Sequence, residues 1–244
     1  MIQWRFLLFY IFTYPQSMTV ISTPAKHYAI IVAGGSGTRM QSAVPKQFLL
    51  LNGLPVLMHT LNAFYSSNPQ PNLILVLSES YHTYWMHLCA DHQFKLPHQL
   101  VVGGDSRYQS VKNALNLVPD EALVAVHDAV RPLVNTQIIE ETYRQAALKD
   151  AVVVAVKSRD SVRQVKDNYT QSLLRDEIYL VQTPQTFKAG LLKEAYKHPY
   201  HDGFTDDASV AEQAGHTIHI VEGSYQNFKI TFPEDIAIAE LLLK

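Results

Sequence analysis

The stretch Ala29–Lys46, Ala-Ile-Ile-Val-Ala-Gly-Gly-Ser-Gly-Thr-Arg-Met-Gln-Ser-Ala-Val-Pro-Lys, sets the tightest limit on what this chain can fold into. Its first five residues form a short apolar run rich in β-branched side chains, the pattern of a strand buried on both faces of a sheet. Gly34, Gly35 and Gly37 then break the run. Glycines allow positive φ and let a ligand come close to the main chain. Successive free N–H groups make a concavity for anions. Arg39 and Lys46 add two cations, and no Asp or Glu occurs between Met1 and Ser78. A buried strand that opens into such a loop suits a polyphosphate, although the glycines alone also suit a plain tight turn.

The loop is not a Walker A loop, because no Gly-Lys-Ser/Thr follows at the required spacing. It is a poor dinucleotide fingerprint. Met40 stands where a third glycine belongs, and the acid expected about 20 residues later is missing. Composition narrows the field further. A formal net charge of −2 over 244 residues shows no basic excess that would call for nucleic acid. The single cysteine, Cys89, cannot form an intramolecular disulfide and fits a reducing, cytoplasmic setting. Cys89 falls in a predicted helix and reads as a core residue, not a nucleophile. The chain lacks the 18-residue apolar run of a spanning helix, so no membrane association is expected. Residues 1–26 read as a tail, disordered or loosely docked, or as sequence upstream of a start at Met18. Residues 27–244 read as a single domain.

The rest of the chain alternates strands and helices. A helix is expected over Pro55–Ser66, where Leu57, Leu61, Phe64 and Tyr65 make one apolar face. Strands are expected at Leu73–Leu77, Leu100–Val102, Leu123–Val126 and Val152–Val156, and helices at Tyr81–Asp91, Ser106–Val118 and Ile138–Lys149. This alternation predicts an α/β fold: a Rossmann-like, mostly parallel sheet with helices on both faces. Residues 157–187 are polar, with a β-hairpin around Asp167-Asn168. This stretch cannot bury itself, so it is expected to protrude as an arm that leans on a partner. Beyond it, helices are expected at Lys188–Lys197 and from Pro233, and a helix N-cap at Thr205–Ser209. Strands are expected at Thr217–Val221 and Asn227–Thr231. Ile236, Ile238, Leu241 and Leu242 suggest that the last helix packs on the sheet.

Ligands of open α/β sheets bind beyond the carboxyl ends of the strands. The Gly34 loop, Gly104-Asp105 and Asp128–Arg131 all fall at such ends. A single Asp beside a phosphate loop suits Mg²⁺, which takes few carboxylates along with waters and phosphate oxygens. The lesser reading of Asp128 is a cap for the turn that follows it. Asp105 has two readings, a helix cap or a partner for a ribose or base.

At these residues the chain resembles a known family. Ala33–Met40 with Pro45-Lys46-Gln47, Val102–Asp105 with Ser110, His127–Pro132, Thr183-Pro184-Gln185, Thr205–Ser209 and Asn227–Thr231 occur in that order. Together they are similar to the 2-C-methyl-D-erythritol 4-phosphate cytidylyltransferases of the non-mevalonate isoprenoid pathway, nucleotidyltransferases with a nucleotide-diphospho-sugar transferase-like fold. The resemblance covers about residues 28–243. It implies that Ala33, Gly34, Gly35 and Gly37 bind nucleotide, and that Arg39 and Lys46 hold the CTP phosphates and stabilise charge during transfer. Gly104, Asp105 and Ser110 would take cytosine and ribose, and Asp128 a Mg²⁺ or similar divalent ion. Arg131, Thr205 and Lys229 would contact the acceptor polyol. Ser161 and Arg175 would reach across a homodimer to the acceptor's phosphate, giving shared active sites. Family members often carry Thr at the position of Ser161, and Ala-Gly at that of Gly34-Gly35. Three other readings stay open: a ribitol-5-phosphate cytidylyltransferase, a sugar-1-phosphate nucleotidyltransferase, and a non-catalytic nucleotide-binding module.

Overall fold

The computed structural model describes residues 26–33 and 44–243, so the Gly34, Gly35 and Gly37 loop, Arg39 and the tail before Lys26 lie outside the described residues. Strand β1 (His27–Val32) is the expected buried strand. Beyond the loop come a 3-10 turn at Lys46–Phe48, the short strands β2 (Leu50–Leu51) and β3 (Leu54–Pro55), and helix α1 (Val56–Tyr65). Asn52 and Gly53 join β2 to β3 with φ of 48° and 79°, values that this pair accepts in a two-residue hairpin. Next follow β4 (Asn72–Leu77), α2 (His82–Asp91), β5 (Gln99–Val102), α3 (Arg107–Leu115), β6 (Leu123–Asp128), α4 (Thr136–Lys149) and β7 (Ala151–Lys157). A hairpin of β8 (Arg163–Lys166) and β9 (Tyr169–Ser172) leads to β10 (Tyr179–Lys188), α5 (Ala189–Ala195), α6 (Asp207–Gln213), β11 (His219–Glu222) and α7 (Glu234–Leu242).

Seven strands form one sheet in the order β11-β7-β10-β6-β1-β4-β5. β10 is antiparallel to both of its neighbours, β6 and β7, and the other pairings are parallel. The two-residue period of a strand divides the core. Ala29, Ile31, Leu73 and Leu75 face α1, α2 and α4 through Leu61, Phe64, Trp85 and Tyr143. Ile30, Val32, Ile74 and Val76 face α3, α5 and α6 through Val111, Leu115, Leu192 and Val210. Helices therefore cover both faces. Cys89 is half-buried on α2 against the first of these layers. Burial pushes its thiol up to about 11, which keeps it protonated.

The hairpin is as thinly packed as its composition suggests: every residue of β8 and β9 is exposed. The protruding stretch is shorter than expected, however. Residues 179–187 belong to β10, whose second half is buried in the middle of the sheet. Polar Gln182, Thr183 and Gln185 and the adjacent Pro184 hide that strand from a hydrophobic pattern.

Two further expectations fail. Asn227–Thr231 is not a strand. Its buried Asn227 spends its side-chain amide on Gln182 Oε1 and Thr183 O, and the Ile230 amide reaches Val130 O in a loop, so the segment is fixed by individual bonds. Helix α7 does not pack on the sheet. Ala239 is its fully buried residue and joins Leu51, Val56, Val130 and Ile230, while Ile238, Leu241 and Leu242 remain exposed.

Candidate active site

The carboxyl ends of β1, β4, β5 and β6 come together along one lip. Val32 is the register partner of Asp128, and the Ala129 amide donates to Val32 O at 3.0 Å. The glycine loop therefore leaves β1 beside Asp128. Gln47 Nε2 donates to Ala33 O at 3.0 Å, which ties the residue after the loop to the residue before it. Lys46 is buried, and its Nζ donates to Ile230 O at 2.9 Å.

On the β5 side, the Gly103 amide continues the strand by donating to Leu77 O. The Gly104 amide donates to Ser110 Oγ at 3.1 Å. Ser110 is buried, so in this chain it shapes the Gly104 turn from beneath. A Cβ on Gly104 would stand 2.3 Å from Gln109 Cγ and 2.6 Å from its Cβ. The cap of α3 is Ser106, whose hydroxyl accepts from the Gln109 amide. Asp105 is exposed at the rim and is not the cap.

On the β6 side, one carboxylate collects three cations. Asp128 Oδ2 receives Arg131 Nε at 3.1 Å and Lys229 Nζ at 3.2 Å, while Oδ1 faces Arg107 Nε at 3.7 Å. Burial alone would raise the Asp128 pKa, but Arg107, Lys229 and Arg131 overcome it and hold the group well below the usual carboxylate range. Arg131 also donates to Asn227 O. Asp128, Arg131, Thr205 and Lys229 thus line one cleft of about 260 Å³, together with Arg107, Gln182, Thr183, Gln185 and Asp206. Ser161 and Arg175 are exposed on the arm and do not line it.

Behind this wall His127 is fully buried, and burial pushes it down to about 3, so it is neutral. The Thr183 hydroxyl accepts from the Asp128 amide at 3.1 Å and lies 3.0 Å from His127 Nδ1. A hydroxyl that has accepted can donate, so Nδ1 accepts and Nε2 carries the proton that Arg131 O accepts at 3.3 Å. The Thr205 loop is held from β10. Gln185 Nε2 donates to Asp206 Oδ2, and Gln185 Oε1 accepts from the Ala208 amide. Asp206 and Ser209 form a reciprocal capping box on α6.

Sequence reasoning missed Arg107. The available signal was a cation in the first turn of a helix, where it opposes the dipole and calls for a carboxylate partner.

A metal fits this site only in part. Asp128 supplies one carboxylate, already compensated by three cations, and no group of three potential ligands from His, Cys, Asp and Glu occurs among the described residues. The donor set suits an ion that arrives on a polyphosphate with its waters, and not one caged by the protein.

A sequence model of 2-C-methyl-D-erythritol 4-phosphate cytidylyltransferase matches residues 27–244. The enzyme of that name from Azobacteroides pseudotrichonymphae is 47% identical over 217 residues, which span 88% of this chain and 98% of the relative. The crystal structure of the 4-diphosphocytidyl-2C-methyl-D-erythritol synthase of Anaerococcus prevotii superimposes with a TM-score of 0.77 at 28% identity, over 90% of this chain and 96% of that one. The 2-C-methyl-D-erythritol 4-phosphate cytidylyltransferase of Francisella tularensis gives 0.73 at 32% identity, over 89% and 99%. With strand-end cations, a capped glycine turn and near full-length relatives in agreement, the chain belongs to the 2-C-methyl-D-erythritol 4-phosphate cytidylyltransferase family.

Proposed function

We propose that the protein transfers a cytidylyl group from CTP to 2-C-methyl-D-erythritol 4-phosphate. The observation that carries this reading is the convergence of Arg107, Arg131 and Lys229 on Asp128, beside the point where the glycine loop leaves β1. An oxygen of the acceptor's phosphate bonds to the α-phosphorus of CTP, the bond from that phosphorus to the bridging oxygen breaks, and pyrophosphate leaves. A phosphate monoester has a second pKa of about 6 and is largely ionised at neutral pH, so no general base is needed. The buried, neutral His127 faces Thr183 and the backbone, which suits a positioning role. The remaining task is to hold two polyanions in line and offset the charge that develops, which cations and fixed dipoles accomplish.

In this reading Arg39 and Lys46 stabilise the α-phosphate, and the backbone from Ala33 through Gly34, Gly35 and Gly37 receives the triphosphate. Gly104, Asp105 and Ser110 form the base and ribose subsite. Arg131, Thr205 and Lys229 hold the acceptor. Asp128 would hold a Mg²⁺ ion together with the phosphates of CTP, and that ion would supply charge compensation there. The arm completes the site of a second copy in a homodimer, with Ser161 and Arg175 directed to the acceptor's phosphate. Exposed Val165, Leu174 and Leu180 supply apolar surface for that contact. The single cysteine, protonated and half-buried, supports a cytoplasmic location.

The direct test is pyrophosphate release from CTP with 2-C-methyl-D-erythritol 4-phosphate or ribitol 5-phosphate as acceptor. Release should require an acceptor, and kcat/KM should favour methylerythritol phosphate. Equal or greater efficiency with ribitol phosphate would overturn the acceptor assignment. For the shared site, mixed dimers that carry Arg175→Ala in one subunit and Lys46→Ala in the other should recover part of the activity that each homodimer loses. Verified mixed dimers without recovery would exclude sharing.

A further inference from the structure

Arg107 opens α3, where its charge faces the positive end of the helix dipole. What offsets that cost is Asp207, a fully buried carboxylate in the first turn of α6, whose Oδ2 lies 2.6 Å from Arg107 Nη2. The other oxygen of Asp207 accepts from the Tyr196 hydroxyl at 2.6 Å. Burial and then Asp207 push that phenol well above its ordinary pKa, so it stays a donor. The Arg107 side chain nevertheless keeps 29% of its surface exposed, lines the cleft and turns its Nε toward Asp128 Oδ1. One line of charges therefore runs from Tyr196 through Asp207, Arg107 and Asp128 to Lys229. It joins the helix beneath the Gly104 turn to the loop that carries Thr205.

We infer that Arg107 is a positioning residue for the acceptor. Anchored by Asp207, it holds Asp128 Oδ1 from one side, and this leaves Oδ2 to set Arg131 and Lys229. The inference rests on the functional reading above. The simpler reading is that Arg107 only neutralises buried Asp207, and its loss would then lower stability alone. The two readings separate because α3 has its own anchors. Ser106 caps it, Val111, Ala114 and Leu115 are buried beneath it, and the Tyr108 hydroxyl donates to Tyr196 O and His198 O. Removal of Arg107 should leave the Gly104 turn in place.

The experiment is steady-state pyrophosphate release with CTP and 2-C-methyl-D-erythritol 4-phosphate each varied, together with thermal melting. It compares the full-length wild type with Arg107→Lys, Arg107→Met and the double variant Arg107→Met/Asp207→Asn. The double variant removes both buried charges and guards against simple unfolding of the single one. The expected result for both Met variants is a rise in acceptor KM of about tenfold or more and a similar fall in kcat, with KM for CTP within about threefold. Arg107→Lys should recover part of the loss. A parallel rise in both KM values, or acceptor kinetics within about twofold of wild type, would overturn the inference while leaving the functional reading standing. A wild type that releases no pyrophosphate would overturn both.

Discussion

Where β5 runs into α3, Gly104 and Ser110 stand six residues apart and are joined by two hydrogen bonds, from the Gly104 amide to Ser110 Oγ and from that hydroxyl to Gly104 O. Across the cleft, Asp128 and Arg131, Thr205, and Lys229 come from three separate segments of the chain, tied through Thr183, Gln185 and Asn227. The side proposed for the nucleotide is thus a local fold of the backbone, specified by a turn, a cap and a small residue. The side proposed for the acceptor is an electrostatic assembly in which each member's position depends on the others. The difference teaches how damage should spread. Changes beside Gly104 should remain local, whereas loss of one charge around Asp128 should alter every remaining partner.

The strongest challenge to that contrast is Lys229→Ala. It removes one of three cations from Asp128 and, in the proposed reading, one contact to the acceptor. By analogy with loss of a single charge-stabilising donor, kcat/KM for the acceptor should fall about 10²–10³-fold, with KM for CTP nearly unchanged. The reciprocal change is Gly104→Ala. Its new Cβ would meet both Gln109 Cβ and Cγ, and such overpacking costs about 1–3 kcal/mol. That cost should appear as a raised KM for CTP, with the acceptor KM within about twofold. If either variant moves both KM values equally in steady-state assays, the two sides are not built as independently as their geometry indicates.

A smaller effect concerns stability alone. An unfolded histidine binds a proton below about pH 6.5, whereas folded His127 stays neutral down to about 3. Between those values the unfolded state holds more protons, so the contribution of His127 is complete above about 6.5 and declines as the pH falls. His127→Gln cannot titrate. In urea unfolding at pH 7.5 and pH 5, the variant should lose less stability on acidification than the wild type. At pH 7.5 it should be less stable by about 1–3 kcal/mol, because the Thr183 hydroxyl loses its acceptor. Equal pH slopes would mean that His127 is not held neutral by the acceptor side.

The legible part of the sequence follows the same division. β1, β4, β6 and β7 are apolar strands with buried interiors, so their apolar runs announce them, and the end of β6 places Asp128 and Arg131. β10 was illegible because buried polar side chains interrupt its apolar pattern. Gln182, Thr183 and Gln185 turn polar groups toward Asn227, His127 and Asp206, and the hydrophobic signal is lost where the strand lines the cleft. Asn227–Thr231 resembled a strand because it alternates polar and apolar residues. Its backbone is instead held by side chains from elsewhere in the chain, which no local pattern encodes. Arg107 was visible only as a helix-start cation. Its partner lies 100 residues away, beyond the reach of any spacing rule. Gly34, Gly35, Gly37 and Arg39 lie outside the described residues, and their part in the site rests on the family resemblance.

The place of β10 between β6 and β7 has a consequence for how the protein is made. Strands β6 and β7 emerge from the ribosome first and do not pair with each other, because the slot between them belongs to a later strand that runs the opposite way. A nascent chain that ends before Tyr179 leaves the facing edges of β6 and β7 open, the condition that favours pairing with other chains. The sheet closes only when β10 enters. The same entry brings Thr183 to His127 and sets Gln185 where Asp206, made later, meets it, so the strand that joins β6 to β7 also lays the floor of the cleft around Asp128.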